Sequence, residues 1–173
     1  MSPLPLVVAL VALTRLGELA YSAHNARALK VRGAIERGAR HYPLIVALHA
    51  AWLLALIALV PWDAPVNWFW LGAFAALQIL RLWTIRSLGP YWTTRIYDLP
   101  GVPVARRGPY RFVAHPNYLI VAGEIAMLPL AFGAWRIALI FSVVNAVLLL
   151  WRIRVEERGL APRRVLPVSQ GPI

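Results

Sequence analysis

Apolar residues run almost without interruption through residues 3–21, 43–62 and 66–88, and a tight turn at residues 61–65 separates the last two runs. Stretches of about 20 apolar residues match a hydrocarbon layer about 30 Å thick when each helical residue rises 1.5 Å. A fourth apolar region, residues 118–151, would rise about 50 Å as one helix, well beyond that layer, so it must fold back on itself. Gly133, in Ala131-Phe132-Gly133-Ala134-Trp135-Arg136, is the natural reversal point. Glycine accepts the turn, and Arg136 beside Trp135 suits an interface. The pattern predicts an all-α integral membrane protein in a single domain, residues 1–173. Its five transmembrane helices cover about residues 3–21, 43–62, 66–88, 118–132 and 135–151, the last two forming a C-terminal helical hairpin. The first run is read as a retained span. It has no basic residue ahead of it and carries Arg15 and Glu18 within it, unlike a secretory signal.

Composition strengthens this picture. Hydrophobic residues make up 60% and charged residues 14% of the chain, against about 45–50% and about 25% in soluble domains. There is no cysteine, which excludes disulfides, thiolate metal sites and a cysteine nucleophile; no metal site is expected. The 18 basic residues against 7 acidic ones would suggest nucleic acid in a soluble protein. Here they alternate with apolar spans, which argues against that partner. Arg27, Lys30, Arg32, Arg37 and Arg40 follow span one. Arg81, Arg86, Arg95, Arg106, Arg107 and Arg111 lie at and beyond the end of span three, and Arg152, Arg154, Arg158, Arg163 and Arg164 close the chain. All fall on one side of a five-span topology. The positive-inside rule makes that side cytoplasmic, with the N-terminus outside and the C-terminus inside. The dominance of arginine over Lys30 points to a GC-rich bacterium and hence its inner membrane.

Ionisable groups inside spans cost about 2.5 to 3.5 kcal/mol at the centre, so each calls for a partner or a role. Glu124 in the fourth span is the clearest case. It is either a buried hydrogen-bonding group that fixes helix packing or part of a site facing a polar cavity. Arg15 and Glu18, three residues apart, share one helix face and read either as a structural pair or, near the cytoplasmic end of span one, as the border of a site. His49 in span two reads as a packed, hydrogen-bonded residue.

Residues 89–117 are too polar and too rich in proline and glycine to span, yet they hold Tyr91, Trp92, Tyr97, Tyr110 and Phe112. Such a segment suits the interface. It leads into Ala114-His115-Pro116-Asn117-Tyr118, where proline favours a helix start and free backbone donors remain. The fifth span leaves the membrane as Arg152-Ile153-Arg154-Val155-Glu156-Glu157-Arg158. By itself the carboxylate pair reads as a solvated helix end with intrahelical ion pairs. The hairpin, however, must bring His115 to Tyr118 and Glu156–Glu157 to the same side.

Gly108-Pro109-Tyr110-Arg111-Phe112-Val113-Ala114-His115-Pro116-Asn117-Tyr118, followed by Arg152-Ile153-Arg154-Val155-Glu156-Glu157, resembles the isoprenylcysteine carboxyl methyltransferase family. The likeness extends through residues 88–96, His41-Tyr42-Pro43, and Arg15, Glu18 and Asn25. In this wider pattern the chain is similar to short bacterial members that methylate alkylpyrones or alkylresorcinols. The resemblance implies a helical enzyme with a cytoplasmic pocket for S-adenosylmethionine, giving S-adenosylhomocysteine as product. The C-terminal segment would close that pocket, and a lipophilic substrate would enter laterally from among the membrane lipids. It further implies that Tyr110, Arg111, His115, Pro116, Tyr118, Glu156 and Glu157 hold the cofactor, and that Arg154 lies near the acceptor or the cofactor carboxylate. The family has Arg directly before its His-Pro pair. Here Ala114 stands instead, so that contact is missing or comes from Arg111, Arg106 or Arg107.

Methyl transfer from a sulfonium is an in-line displacement in which positioning supplies much of the gain. A carboxylate acceptor needs little acid–base help. A phenol or enol, with a pKa of about 10 for a Tyr-like hydroxyl, must lose its proton, and Glu124, Glu157 or His115 are the candidate bases. The candidate catalytic residues are thus Glu124, Arg154 and Glu157. Two other readings are a nicotinamide-dependent membrane reductase of a lipid and a non-catalytic lipid-binding membrane protein. The acceptor class and the oligomeric state stay open at this level.

Overall fold

A computed structural model describes residues 2–102 and 107–160. Arg106, Arg163, Arg164 and the C-terminal segment expected to close the pocket lie outside the described residues. The chain is mostly helical: α1 (Leu4–Val31), α2 (Tyr42–Leu59), α3 (Trp68–Leu88), α4 (Pro116–Ala131) and α5 (Trp135–Leu160). Among the described residues, four segments are long and apolar enough to cross a membrane: Leu4–Val31, Ala39–Leu59, Trp68–Tyr91 and Trp135–Arg158. The chain is an integral membrane protein on that ground. Helix α4, with 16 residues, is the shorter apolar one.

The helices are not the whole of the secondary structure. β1 (Ile35–Arg37) and β2 (Ile96–Asp98) pair antiparallel, Ile35 opposite Asp98 and Arg37 opposite Ile96. Three residues each give no periodicity for a sequence reading to detect. Their pairing depends on loops that meet only after the helices pack. Helices α1 and α5 also run about ten residues past the apolar stretches that define spans one and five. Polarity ends a span, but helix propensity continues beyond it.

The reversal falls at Gly133, whose φ of +70° is a left-handed conformation that a side chain would strain. The Ala134 amide donates to the Pro129 carbonyl at 2.9 Å and closes the turn. At the same end the Asn67 amide donates to the last α4 carbonyl, Ala131, at 2.8 Å. The Asn67 side chain accepts from the amides of Phe69 and Trp70, capping α3. The Ser2 amide donates to the Trp62 carbonyl, bringing the start of α1 to the end of α2. Successive helices therefore alternate in direction, and the non-helical segments after α1, after α3 and before α4 gather at the opposite end. Helix α4 lies deepest, with Ile125, Leu128 and Ala131 fully buried in the same hydrophobic core as Leu4, Val8, Trp52 and Leu56. Gly123 lets it approach α3 closely, since a Cβ there would come within 2.7 Å of Leu77.

Glu124 is 3% exposed. Its Oε1 accepts from Arg15 at 2.9 Å and from Gln78 at 2.7 Å, and its Oε2 accepts from Arg81 at 3.1 Å. Arg81 also clamps Glu18 with two contacts of 2.6 Å, while Arg15 donates to both Glu18 oxygens. Two guanidinium and two carboxylate groups thus balance within the bundle, joining α1, α3 and α4. Breaking such a set by removing one partner leaves an uncompensated buried charge, at a cost of about 3–5 kcal/mol. We expect Glu124→Gln to lower stability by about 3 kcal/mol, measured by reversible unfolding in mixed micelles. An unchanged midpoint would mean that the cluster is not sealed from water. Gly133→Ala should cost about 1–2 kcal/mol through the left-handed backbone alone in the same assay.

Candidate functional site

The end of the bundle that collects the loops holds two adjoining cavities. The first, about 110 Å³, is polar and aromatic, with Tyr91, Tyr97, Tyr110, His115 and Glu156 on its wall. The second, about 330 Å³, descends between α1 and α2 and is lined mainly by apolar side chains such as Leu16, Leu19, Val46 and Leu53. Trp92, Asn117, Tyr118 and Arg152 line both.

Local structure places each of these groups. Pro116 opens α4 with His115 at its cap, and Tyr118 follows in the first turn. Arg152 and Glu156, four residues apart, project from one face of α5 toward that turn. Arg152, 6% exposed, donates from Nε to the Tyr118 hydroxyl at 2.9 Å and from Nη2 to the Thr94 carbonyl. The Tyr118 hydroxyl donates in a short bond to Glu156. The His115 ring lies over Tyr118 at 5.3 Å, and its Nε2 is 2.6 Å from Glu157. Its Nδ1 is 3.8 Å from Glu156. The start of α4 and the end of α5 therefore meet through both halves of the carboxylate pair.

Thr94 carries the loop that completes the wall. Its hydroxyl is 2.9 Å from Ser22 of α1 and 3.0 Å from the Tyr42 hydroxyl of α2, and its amide donates to Ser22. Buried Asn25 donates to the carbonyls of Gly89 and Trp92, holding Trp92 in place. The short sheet anchors the outer side. Glu36 of β1 accepts from Arg95 at 2.6 Å and from the Tyr97 hydroxyl at 3.2 Å. Burial raises the Glu36 carboxyl, but the Arg95 hydrogen bond and charge, with help from Tyr97 and Lys30, bring it below the usual carboxylate range. Burial, and then the nearby Glu156 carboxylate, push the Tyr110 phenol well up, leaving it a neutral donor.

Of the residues singled out in the sequence, Tyr110, His115, Tyr118 and Glu156 line the polar cavity, and Glu157 stands behind His115. Pro116 is buried beneath them. Arg111 and Arg154 are exposed and line neither cavity. Glu124 lies in the ion cluster, lining neither cavity itself but hydrogen-bonded to Arg15 and Arg81, which line the apolar one. Arg152 rather than Arg154 lines both cavities, and helix phase is the reason. At about 100° per residue, position 154 is turned some 200° from 152, whereas 156 returns to within about 40° of it. That signal was present in the sequence as the Arg152/Glu156 spacing. Ser22 carried no such signal and Thr94 and Tyr42 only their place in segments of family likeness, because their meeting depends on loop placement.

The family model for the isoprenylcysteine carboxyl methyltransferase (ICMT) family matches residues 70–162, which contain both halves of the contact just described. A Bacillus subtilis (strain 168) protein named "Uncharacterized protein YpbQ" is 42% identical over 160 residues, covering 90% of this chain and 95% of its own length. A Haemophilus influenzae protein described as "Uncharacterized protein" is 29% identical over 154 residues, covering 85% of this chain and 88% of its own length. No solved structure gives a significant match.

Because the folded-state carboxyl of Glu36 is depressed, its stabilising contribution is present above the unfolded value near 4.5 and is lost as the pH falls through the lower folded value. The thermal midpoint of Glu36→Gln should therefore lie below that of the wild type at neutral pH, and the gap should close as the pH drops below 4.5. A gap that stays constant across that window would remove the Arg95 pairing as its cause.

Proposed function

The chain belongs to the isoprenylcysteine carboxyl methyltransferase family, and from that premise we propose that it transfers a methyl group from S-adenosylmethionine to an oxygen of a lipophilic acceptor. The observation that carries this reading is the wall shared by a polar, aromatic cavity and an apolar one. Such a wall lets a water-soluble cofactor and a lipid approach each other from different phases without either crossing the other's medium.

The donor set suits the cofactor. Carboxylate from Glu156 offers a partner to an ammonium or to ribose hydroxyls, and the faces of Tyr91, Trp92, Tyr97 and Tyr110 suit an adenine ring and a cationic sulfonium. When bound, S-adenosylmethionine supplies an electrophilic methyl carbon with a neutral thioether as leaving group. Everything else falls to the side chains. Glu157 holds the His115 ring, and the ring stacks on Tyr118. Tyr118 and the Thr94 carbonyl fix the Arg152 guanidinium at the shared wall.

Arg152 has no carboxylate within ion-pair distance among the described residues. A buried cation so placed attracts an anionic oxygen, either a lipid carboxylate or a phenol or enol that has lost its proton. It would align that oxygen for in-line attack and steady it until the new C–O bond forms. For a hydroxyl acceptor the proton would pass toward the Tyr118–Glu156 pair, with His115 and Glu157 beside it. On this reading Arg152 replaces Arg154 as the acceptor-side cation, Glu157 positions His115, and Glu124 belongs to the fold.

The same proposal places the loop end of the bundle at the cytoplasmic face of a bacterial inner membrane. Helix α4 then serves as a short fifth span, with the N-terminus outside and the C-terminus inside. The support is the clustering of basic residues at that end. Alkylated pyrones and phenols are one acceptor class within its scope.

Titration of the detergent-solubilised protein with S-adenosylmethionine, S-adenosylhomocysteine and NADPH tests the cofactor. The first two should bind and NADPH should not, whereas binding of NADPH alone would make the chain a reductase instead. Glu156→Gln should weaken S-adenosylmethionine about tenfold, the loss of one charge-assisted hydrogen bond. Arg152→Lys should lower kcat about a hundredfold with a smaller change in cofactor affinity. Normal turnover in that variant would move the acceptor contact elsewhere.

A further inference from the structure

The apolar cavity is not uniformly apolar. Arg15, Glu18 and Arg81 form part of one side, yet their polar atoms are turned to one another and to Glu124 and Gln78. Two cations against two carboxylates leave that wall without unbalanced charge. Nothing there asks for an ionic ligand.

His49 on α2 is different. It lines the same cavity, on the stripe of α2 formed by Tyr42, Ile45, Val46, His49 and Leu53. Its Nδ1 lies 2.8 Å from the Ile45 carbonyl of its own helix. A carbonyl oxygen only accepts, so Nδ1 carries the proton, and in the neutral ring Nε2 is left as a bare acceptor. Among the described residues no hydrogen bond to Nε2 is formed. An acceptor without a donor in an apolar cavity is costly unless an occupant supplies one.

Its position states where the donor must lie. Tyr42 marks the reacting end of the cavity through its hydrogen bond to Thr94. His49 follows it by seven residues, about 10 Å along the helix axis. A group meeting Nε2 is therefore borne by the body of the lipid, away from the oxygen poised at Arg152.

We infer that His49 Nε2 is a second recognition point for the acceptor lipid and accepts a hydrogen bond from a hydroxyl on its chain. The substrate class is then a hydroxylated lipid rather than a plain hydrocarbon chain ending in a methylatable oxygen. This inference rests on the lipid-acceptor reading of the apolar cavity, but it concerns lipid binding alone and is measured without cofactor.

The test uses the full chain in nanodiscs and three radiolabelled probes. These are a long-chain alkylphenol, the same lipid with a hydroxyl midway along the chain, and the same lipid with that hydroxyl next to the ring. The wild type should bind the mid-chain hydroxyl lipid about five- to tenfold tighter than the other two, the worth of one neutral hydrogen bond in a cavity. His49→Phe should bind all three alike while keeping the wild-type affinity for the plain lipid. His49→Gln, which returns a side-chain acceptor near the Nε2 position, should recover part of the preference. Equal binding by the wild type, a preference that survives in His49→Phe, or no binding of any probe would each overturn the inference. Retention of S-adenosylmethionine binding in those cases would leave the methyltransferase reading standing. Its loss in the wild type, with the lipid preference intact, would sink that reading and not this one.

Discussion

The residue on which the site depends is Thr94, because four of the five helices are hydrogen-bonded to one another through it. Its side chain meets Ser22 of α1 and Tyr42 of α2, and its carbonyl takes Arg152 of α5. Arg152 in turn holds Tyr118 of α4. Buried polar atoms must be paired, and here the pairing requires a loop to enter the bundle end and stay there. The wall between the two cavities is the result.

Deeper in the bundle the same rule takes an ionic form. Charges in a low-dielectric interior persist only when balanced and hydrogen-bonded. Arg15, Glu18, Arg81 and Glu124 meet both conditions, with Gln78 as the additional donor. The cluster joins three helices at a depth where apolar side chains alone discriminate poorly between packing partners, since lipid tails are equally apolar. It also gives Glu124, the most conspicuous carboxylate in the spans, three hydrogen-bond donors from two other helices. Two guanidinium groups already compete for its oxygens.

The two cavities differ in chemical character. Aromatic faces and a carboxylate line the side among the loops, apolar side chains line the side between α1 and α2, and the Arg152 guanidinium, without a carboxylate partner among the described residues, stands where they meet. That division follows from the α4–α5 hairpin. An antiparallel pair returns the chain to the same end, so residues about 35 apart in sequence meet there although two apolar helices separate them.

The sequence alone determined the four long apolar helices, the fold-back at Gly133 and the meeting of His115 and Tyr118 with Glu156 and Glu157. Each of these follows from local quantities: the length of an apolar run, the conformational freedom of glycine and the geometry of a hairpin. Membership of the family was legible in the same segments, through the order and spacing of two short motifs. What only the tertiary structure decided was which arginine faces inward, what Glu124 binds, how β1 finds β2 and where Thr94 stands. The contacts responsible join positions 58, 72 and 109 residues apart. No local periodicity encodes them, because they form only after the helices have chosen their faces and the loops have been drawn into the space left at one end of the bundle.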